Sequence, residues 1–412
     1  MDKIKIISSH IAEESPVDRQ ERISWWRQDI LRKAKILVVG AGATGNEVIK
    51  NLALLGVGNV FICDMDRIDT SNLSRTVLFS KDDVGKKKAK TAAERAAEMS
   101  VYPDFKVDYF DGDVVYELGD GVFRQFDVVI GCLDNLNTRL SVNKRCCLLQ
   151  KPYVDAGISE LACSLNVFHY PHSSCYACGV SSRDVAEERR IRYSCDVFKK
   201  RAIEEEKVPT VQISSAIVAA LAVQEAVKIL HKDVLETEVC FGKRYFFQGI
   251  NNNFIDMIVP KKEECLYHNS YGDIIETEFT NKVRLRDFLE YVKEKNGEEY
   301  TLEVGSELKF VISANCRSCN KEIKFYKPAH RIYEEDVYCE ECQKAGKTTN
   351  GYTDYKYVLD FCHDMEEKDI LDMTLEEIGI PKLHILSLRN KDDKYIFYEL
   401  SGDIKNVMPN IY

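Results

Sequence analysis

Eight residues of this sequence fall into four short pairs at the spacing that metal sites use. Three pairs are C-x-x-C and one is C-x-x-H: Cys175 and Cys178, Cys316 and Cys319, Cys339 and Cys342, Cys265 and His268. Thiolate and imidazole are the ordinary ligands of structural zinc, which binds four of them. In a chain of 412 residues whose N-terminus has no apolar signal-like run, metal binding explains the cysteines better than disulfides do. The pairs therefore predict two structural Zn²⁺ sites.

A glycine-rich turn near the N-terminus has the spacing of a phosphate-binding loop. Gly40, Gly42 and Gly45 fit G-x-G-x-x-G between the apolar run ILVV and a helical pattern over 44–55. Without side chains, the backbone amides and the positive helix end can approach a phosphate closely. Dehydrogenases, flavoproteins and ATP-using enzymes share this motif, so the loop predicts phosphate binding without choosing the substrate.

Polar residues follow two further apolar runs that read as buried strands. Asp64 and Asp66 come directly after VFIC, and Asp134 and Asn135 come just after FDVVIGC. Because the carboxyl ends of parallel strands meet at one edge of a sheet, we expect these residues and Gly40 to share one crevice. Plainer interpretations remain open, in which Asp64 caps its strand and Asp134 caps the following helix.

Composition excludes some classes of function. With 57 basic and 67 acidic residues the net charge is -10, which argues against nucleic acid as a partner. We find no run of about 18 apolar residues that would span a membrane, and the expected location is the cytoplasm.

The order of elements predicts an α/β domain followed by an α+β domain. Residues 21–34 read as one helix carrying Arg22, which on its own is typical of a solvated face. Alternating strands and helices then predict a mostly parallel, Rossmann-like sheet up to about residue 270. Shorter strands and the helical patterns RLRDFLEYVKEK and TLEEIG follow in 271–412, interrupted at about 313–346 by C-x2-C-x19-C-x2-C, the spacing of a zinc ribbon.

Four motifs in order resemble the ThiF, MoeB and ubiquitin-activating (E1) family across about 19–268. They are GAGATGNEV, DMDRIDTSNLSR, the lysines that follow VG, and GCLDN. The region 274–402, apart from the ribbon, resembles the ubiquitin-fold domain that ends E1 enzymes, especially the catalytic subunit of the NEDD8-activating enzyme. Compact single-chain E1-like proteins of bacterial ubiquitin-like conjugation systems, some with a role in antiviral defence, have a similar layout.

The family reaction is adenylation of the C-terminal glycine of a ubiquitin-like protein by ATP and Mg²⁺. The resemblance places Asp64 and Asp66 by the ribose of ATP, and Asn72, Arg75 and Lys88 at the triphosphate. It makes Asp134, which is followed by Asn135, the magnesium ligand. Cations beside a leaving pyrophosphate and a hard oxygen ligand for Mg²⁺ agree with that chemistry. One residue departs from the family pattern, because Thr76 stands where glutamine usually follows Arg75.

Cys195 separates the possible activities. The resemblance places the E1 nucleophile and its crossover loop at about 179–208, and Cys195 has many basic neighbours that would favour the reactive thiolate. An inert or zinc-linked thiol is the alternative. The family also joins Cys175, Cys178, Cys265 and His268 into one zinc clamp on this loop, the alternative being surface cysteines around a zinc-free loop.

The resemblance further implies partners. Arg22 would enter the ATP site of a second subunit, so the active unit would be a homodimer, and the C-terminal domain would bind an E2-like conjugating protein. Two other hypotheses stay open: an adenylyltransferase that serves a sulfur-carrier protein without transfer to an E2, and a non-catalytic scaffold that binds a ubiquitin-like protein.

Overall fold

The computed structural model describes residues 15–181, 183–184, 209–236, 239–333, 336, 339–347 and 351–412. An eight-stranded sheet has the order β3-β2-β1-β4-β5-β6-β7-β8. Its strands are β1 (Lys35–Val39), β2 (Asn59–Cys63), β3 (Lys106–Phe110), β4 (Val128–Gly131), β5 (Tyr153–Ser159), β6 (Ala162–Phe168), β7 (Lys243–Gln248) and β8 (Asn253–Ile258). The pairs from β3 to β5 are parallel, and those from β5 to β8 are antiparallel. The predicted parallel-dominated α/β sheet is therefore confirmed.

Helices cover both faces of this sheet. They are α1 (Asp18–Glu21), α2 (Gln28–Lys33), α3 (Ala43–Leu55), α4 (Lys88–Met99), α5 (Asp120–Arg124), α6 (Leu136–Leu148) and α7 (Gln212–Leu230). The prediction of one helix over 21–34 was wrong, because the chain leaves helical geometry between α1 and α2. Trp25 and Trp26 pack there against the buried ring of His231 just after α7, and Trp26 Nε1 donates to Gln28 Oε1.

Helix α7 is the long central helix of the first sheet. By length and composition it is apolar enough to cross a membrane, and it alone among the described helices passes that test, so the expectation that no such stretch exists was wrong. Ten of its 19 side chains are buried, several of them small, and they pack against α3, β5 and β6. Small side chains allow this close approach of helix to sheet.

Two smaller sheets follow in the C-terminal region. A mixed five-stranded sheet has the order β14-β10-β15-β16-β9, with β9 parallel to β16, and a three-stranded antiparallel sheet has the order β12-β11-β13. The strands are β9 (Ile274–Thr277), β10 (Thr301–Glu303), β11 (Phe310–Cys316), β12 (Glu322–Pro328), β13 (Tyr352–Val358), β14 (Asp360–Phe361), β15 (Ile385–Arg389) and β16 (Tyr395–Leu400). The helices are α8 (Leu285–Asn296), α9 (Glu340–Lys344) and α10 (Ile404–Val407).

The apolar side of α8 packs on the five-stranded sheet through Leu285, Phe288 and Val292. TLEEIG, predicted as a helix, forms turns instead. The ubiquitin fold of this region stays a prediction, and the three-stranded sheet reaches from 310 to 358, beyond the expected ribbon of 313–346.

The last residues of the chain return to the first sheet. Met408 and Ile411 are buried in the same core as Leu37 and Phe61 of β1 and β2. The carboxylate of Asp108 on edge strand β3 accepts hydrogen bonds from the backbone amides of residues 410 and 411, each at 3.0 Å, and from the 410 side-chain amide at 2.7 Å. The described residues 404–412 therefore pack as part of the first sheet's core rather than as part of the second.

Candidate functional site

The glycine loop joins β1 to α3 at the carboxyl edge of the first sheet. Gly40 has a φ of +96°, and a Cβ there would lie 2.4 Å from the carbonyl oxygen of Cys132. A Cβ on Gly45 would lie 1.9 Å from the carbonyl oxygen of Gly40, whereas one on Gly42 would meet no heavy atom within 4 Å. Packing therefore requires the first and third glycines, and the middle one leaves the loop open to a ligand.

Asp64 ties the end of β2 to this loop. Its Oδ2 accepts a hydrogen bond from the Ala41 amide at 2.6 Å, and its Oδ1 accepts one from the Asp66 amide at 2.8 Å. The cap interpretation is thus correct in part, but the same carboxylate also orients the glycine loop. Burial raises the pKa of Asp64 above its ordinary value, and the positive charge of Lys88 opposes that rise.

Lys88 brings a cation to the same edge. It is the first residue of α4, its side chain is 12% exposed, and its Nζ lies 2.8 Å from Oδ2 of the more exposed Asp66. Its backbone amide also donates to the Asp66 carbonyl at 3.0 Å. The crevice therefore has a lysine ammonium that one carboxylate holds in place at a helix N-terminus.

A 3₁₀ turn at Thr70–Asn72 positions the next two predicted residues. Asn72 Oδ1 accepts from the Asp69 amide at 2.9 Å, and Arg75 Nη1 donates to the Ser71 carbonyl at 2.7 Å. Thr76 is buried, and its hydroxyl donates to the Asn72 carbonyl at 3.0 Å. Thr76 is thus used inside the fold, while phosphate contacts by Asn72 and Arg75 stay predictions.

The residues after β4 settle which side chain caps α6. Asn135 is the N-cap, because its Oδ1 accepts from the Thr138 amide at 2.8 Å. Asp134 is exposed, and its Oδ1 accepts only from Asn135 Nδ2 at 3.2 Å among the described residues. The cap interpretation of Asp134 was therefore wrong, and its carboxylate has free oxygen positions of the kind that Mg²⁺ prefers.

A cavity of about 510 Å³ lies on one face of β5, β6 and β7, next to α6. Beneath it, the fully buried Asp155 accepts from Arg139 at 2.5 Å, from Asn166 at 3.1 Å and from the Tyr153 hydroxyl at 3.0 Å. Arg139 also donates to the Leu133 carbonyl, so it links the cavity to the segment that carries Asp134.

Sequence reasoning missed Arg139, Asp155 and the cavity. A useful signal was the carboxylate of Asp155 inside the apolar run KPYVDAGIS, because a buried acid needs a partner.

The eight predicted zinc ligands form two clusters. Within each cluster the ligand atoms lie within 4.8 Å of one another. The first cluster consists of Cys175, Cys178, Cys265 and His268, and the second consists of Cys316, Cys319, Cys339 and Cys342. Neighbouring Sγ atoms are 3.5 to 3.8 Å apart in both clusters. Tetrahedral zinc with bonds of about 2.3 Å needs sulfurs about 3.8 Å apart. Both donor sets therefore fit a structural Zn²⁺ ion.

Arg22 lies near the end of α3 that is farther from the glycine loop. Gln20 and Gln28, on either side of it, donate to the Leu55 carbonyl at the end of α3, and Arg22 itself pairs with Asp18 at 2.8 Å. Helix α3 has 13 residues and is therefore about 20 Å long, so Arg22 lies far from the glycine loop of its own chain. Cys195 lies outside the described residues.

Comparison with known proteins identifies relatives that match part of this chain. The SUMO-activating enzyme subunit 2 of Dictyostelium discoideum is 38% identical over 151 residues, which cover 36% of this chain and 22% of that protein. The sulfur carrier protein adenylyltransferase of Thermus thermophilus is 36% identical over 156 residues, which cover 37% of this chain and 57% of that protein. The matched segment thus spans less than two thirds of either relative.

Among solved structures, the E. coli MccB complex with ATP superposes with a TM-score of 0.51 at 22% identity, covering 63% of this chain and 75% of that one, and shows a shared fold. The sequence also matches the ThiF family over residues 15–267. Because that match covers more than half of the chain, the protein belongs to the ThiF family.

Proposed function

We propose that this protein is an E1-like activating enzyme that uses ATP and Mg²⁺ to adenylate the C-terminal glycine of a ubiquitin-like carrier protein. One observation carries the proposal: the glycine loop, Asp64, Lys88 and Asp134 lie along one edge of the sheet, next to the cavity beside Arg139. Asp134 is available there because Asn135, and not Asp134, caps α6. That arrangement offers a phosphate cradle and, beside it, space for a peptide.

In the proposed reaction, a carboxylate oxygen of the terminal glycine attacks the α-phosphorus of ATP. The bond to the bridging oxygen breaks, pyrophosphate leaves with its electron pair, and an acyl adenylate forms. Lys88 and Arg75 would balance the negative charge of the leaving pyrophosphate. Asp134 would hold Mg²⁺, which neutralises phosphate oxygens when bound. Asp64 and Asp66 would contact the ribose.

A second step would move the carrier to Cys195. Its thiolate attacks the acyl carbonyl, the bond to the phosphate oxygen breaks, AMP leaves, and a thioester remains, which an E2-like cysteine then accepts by exchange. The cluster of Cys175 and Cys178 with Cys265 and His268 supports this proposal, because it anchors the chain a few residues before the 185–208 segment. The C-terminal region would dock the E2-like protein.

We propose a homodimer as the active unit. Arg22 is exposed and lies at the far end of α3 from its own glycine loop. A second subunit could bring this arginine to the crevice. The subunits would then complete each other's ATP sites.

The sulfur-carrier hypothesis is the second candidate. Its specific support is the Thermus thermophilus adenylyltransferase. The match covers 57% of that protein but only 22% of the Dictyostelium discoideum enzyme. Under this hypothesis the carrier adenylate forms in the same way, and Cys195 carries no ubiquitin-like protein to an E2.

The test uses the full chain, ATP and candidate ubiquitin-like proteins that end in glycine, taken from the same genome. Wild type should catalyse ATP–pyrophosphate exchange and form a conjugate that thiol reagents release. Cys195→Ala should abolish the conjugate and keep the exchange, whereas Cys240→Ala, which removes an exposed cysteine elsewhere, should keep both. Exchange without any conjugate in wild type would favour the sulfur-carrier hypothesis. No exchange with any carrier would contradict adenylation itself.

A further inference from the structure

Arg244 brings an unbalanced positive charge to the wall of the cavity. Its Nε donates to Asn166 Oδ1 at 2.6 Å, and among the described residues no acceptor lies within hydrogen-bond distance of its two Nη nitrogens. Gly179 leaves room for the guanidinium, since a Cβ there would lie 2.9 Å from Arg244 Nη2. The side chain is half-buried and held in place from one side only.

Among the residues that the structure describes, the rest of the cavity supplies no anion for Arg244. Its lining includes the side chains of Ser159, Ser164, Tyr176 and Phe246, and no described lining residue is Asp or Glu. The nearby Asp155 already accepts from Arg139, Asn166 and Tyr153. A half-buried guanidinium without an anion beside it is costly, so the chemistry of the described part of the cavity favours a ligand with a carboxylate.

The sheet register gives the distance from Arg244 to the nucleotide edge. Gly131, Asp155, Asn166 and Arg244 stand side by side on β4, β5, β6 and β7. Three strand spacings of about 4.8 Å make about 14 Å. An extended peptide covers this distance in about four residues. Arg244 is therefore too far from β4 to bind the terminal carboxylate of the carrier, which would react beside Asp134.

We propose that Arg244 recognises an acidic side chain in the C-terminal tail of the carrier, about four residues before the terminal glycine. This inference rests on the proposed function, because it assumes that the tail crosses the cavity toward Asp134. The exposed Ile255 and Met257 of β8 lie on the same face as Arg244 and extend the surface toward the globular part of the carrier.

The test measures binding of short fluorescent peptides that end in Gly-Gly and carry Glu, Gln or Lys at successive positions before them. Fluorescence anisotropy with the full chain gives affinity without requiring turnover. Wild type should bind the best-placed Glu peptide about tenfold more tightly than the matched Lys peptide, as a charge-assisted hydrogen bond implies. Arg244→Glu should reverse this order, a result that loss of folding cannot produce.

Lys243→Glu is the matched control. Lys243 is the adjacent residue on β7, faces the other side of the sheet and pairs with Asp256 at 2.8 Å. The Lys243→Glu variant should bind the peptides in the same order of affinity as wild type. The Arg244 proposal is overturned if wild type and Arg244→Glu prefer the same peptide, or if wild type binds none of them. Loss of pyrophosphate exchange with every carrier, while the Glu preference persists, would instead contradict only the adenylation proposal.

Discussion

The two cysteine clusters have the same donor chemistry but different relations to the rest of the molecule. In the first, Cys175 and Cys178 come from a 3₁₀ turn after β6. Their partners come after β8, because Cys265 lies 90 residues beyond Cys175 and His268 lies 90 residues beyond Cys178. In the second, all four cysteines lie within 316–342.

Their packing differs as well. Cys175 and Cys178 are buried in the core of the first sheet, and the turn between them is fixed to α6, since the Tyr176 amide donates to Asn143 Oδ1 at 2.8 Å. Cys316, Cys339 and Cys342 belong instead to a small separate core with Ala314 and Tyr352. The first cluster closes a long loop inside the sheet that carries the candidate site, and the second stabilises only its own small sheet.

The largest expected effect is that of breaking the first cluster. Cys175→Ser with Cys178→Ser should remove one equivalent of zinc and lower the melting temperature by about 10 °C or more, because structural zinc contributes directly to folding free energy. Pyrophosphate exchange should fall with it. Zinc analysis and thermal unfolding measure the change, and an unchanged melting temperature would show that the cluster is independent of the sheet's core.

Breaking the second cluster should have a smaller and more local effect. Cys316→Ser with Cys319→Ser should also remove one equivalent of zinc, but the main unfolding transition should shift by less than about 4 °C. Limited proteolysis should now cut near 310–358 while pyrophosphate exchange continues. A loss of exchange as large as in the first double variant would contradict the separation of the two clusters.

The smallest expected effect sharpens the role of the one imidazole ligand. His268→Cys replaces one zinc ligand by another and should keep both equivalents of zinc. The ring of His268 also stacks on Tyr170 with centroids 4.7 Å apart, so the variant should lose about 1 kcal/mol of stability. Zinc analysis with denaturant unfolding tests this, and loss of one equivalent would mean that the imidazole geometry is essential.

Local patterns in the sequence predicted the parallel sheet, the glycine loop and the zinc ribbon, since each depends on residues close together in the chain. The first set of zinc ligands joins two pairs that lie 90 residues apart, and the family resemblance was needed to group them. Where two neighbours could fill one role, the sequence left the choice open: an N-cap role for Asp134 remained an alternative, and the structure identifies Asn135 as the cap. Tertiary packing also decided the break between α1 and α2, because Trp25 and Trp26 pack on a residue about 200 positions away.

The cavity could not be predicted because its parts are distant in the chain. Asp155, Asn166 and Arg244 meet through the pairing of β5, β6 and β7, and Arg139 reaches them from α6. Arg244 has no described anion beside it because Asp155 already accepts hydrogen bonds from Arg139, Tyr153 and Asn166. Residue types alone do not predict that arrangement.

The return of the chain to edge strand β3 has a consequence for how the molecule can be divided. Cutting after about residue 270 would remove Met408 and Ile411 from the core under β1 and β2 and leave the buried carboxylate of Asp108 without its donors. Topologically, the region from about 271 to 403 is an insertion into the first sheet's unit, and the chain connects it to that unit at both ends. Any rearrangement during the proposed carrier transfer would have to keep both covalent connections, which oppose free rotation of this region. It would also have to break side contacts, such as those of Lys144 with Glu307 and of Arg124 with Glu399, each at 3.0 Å.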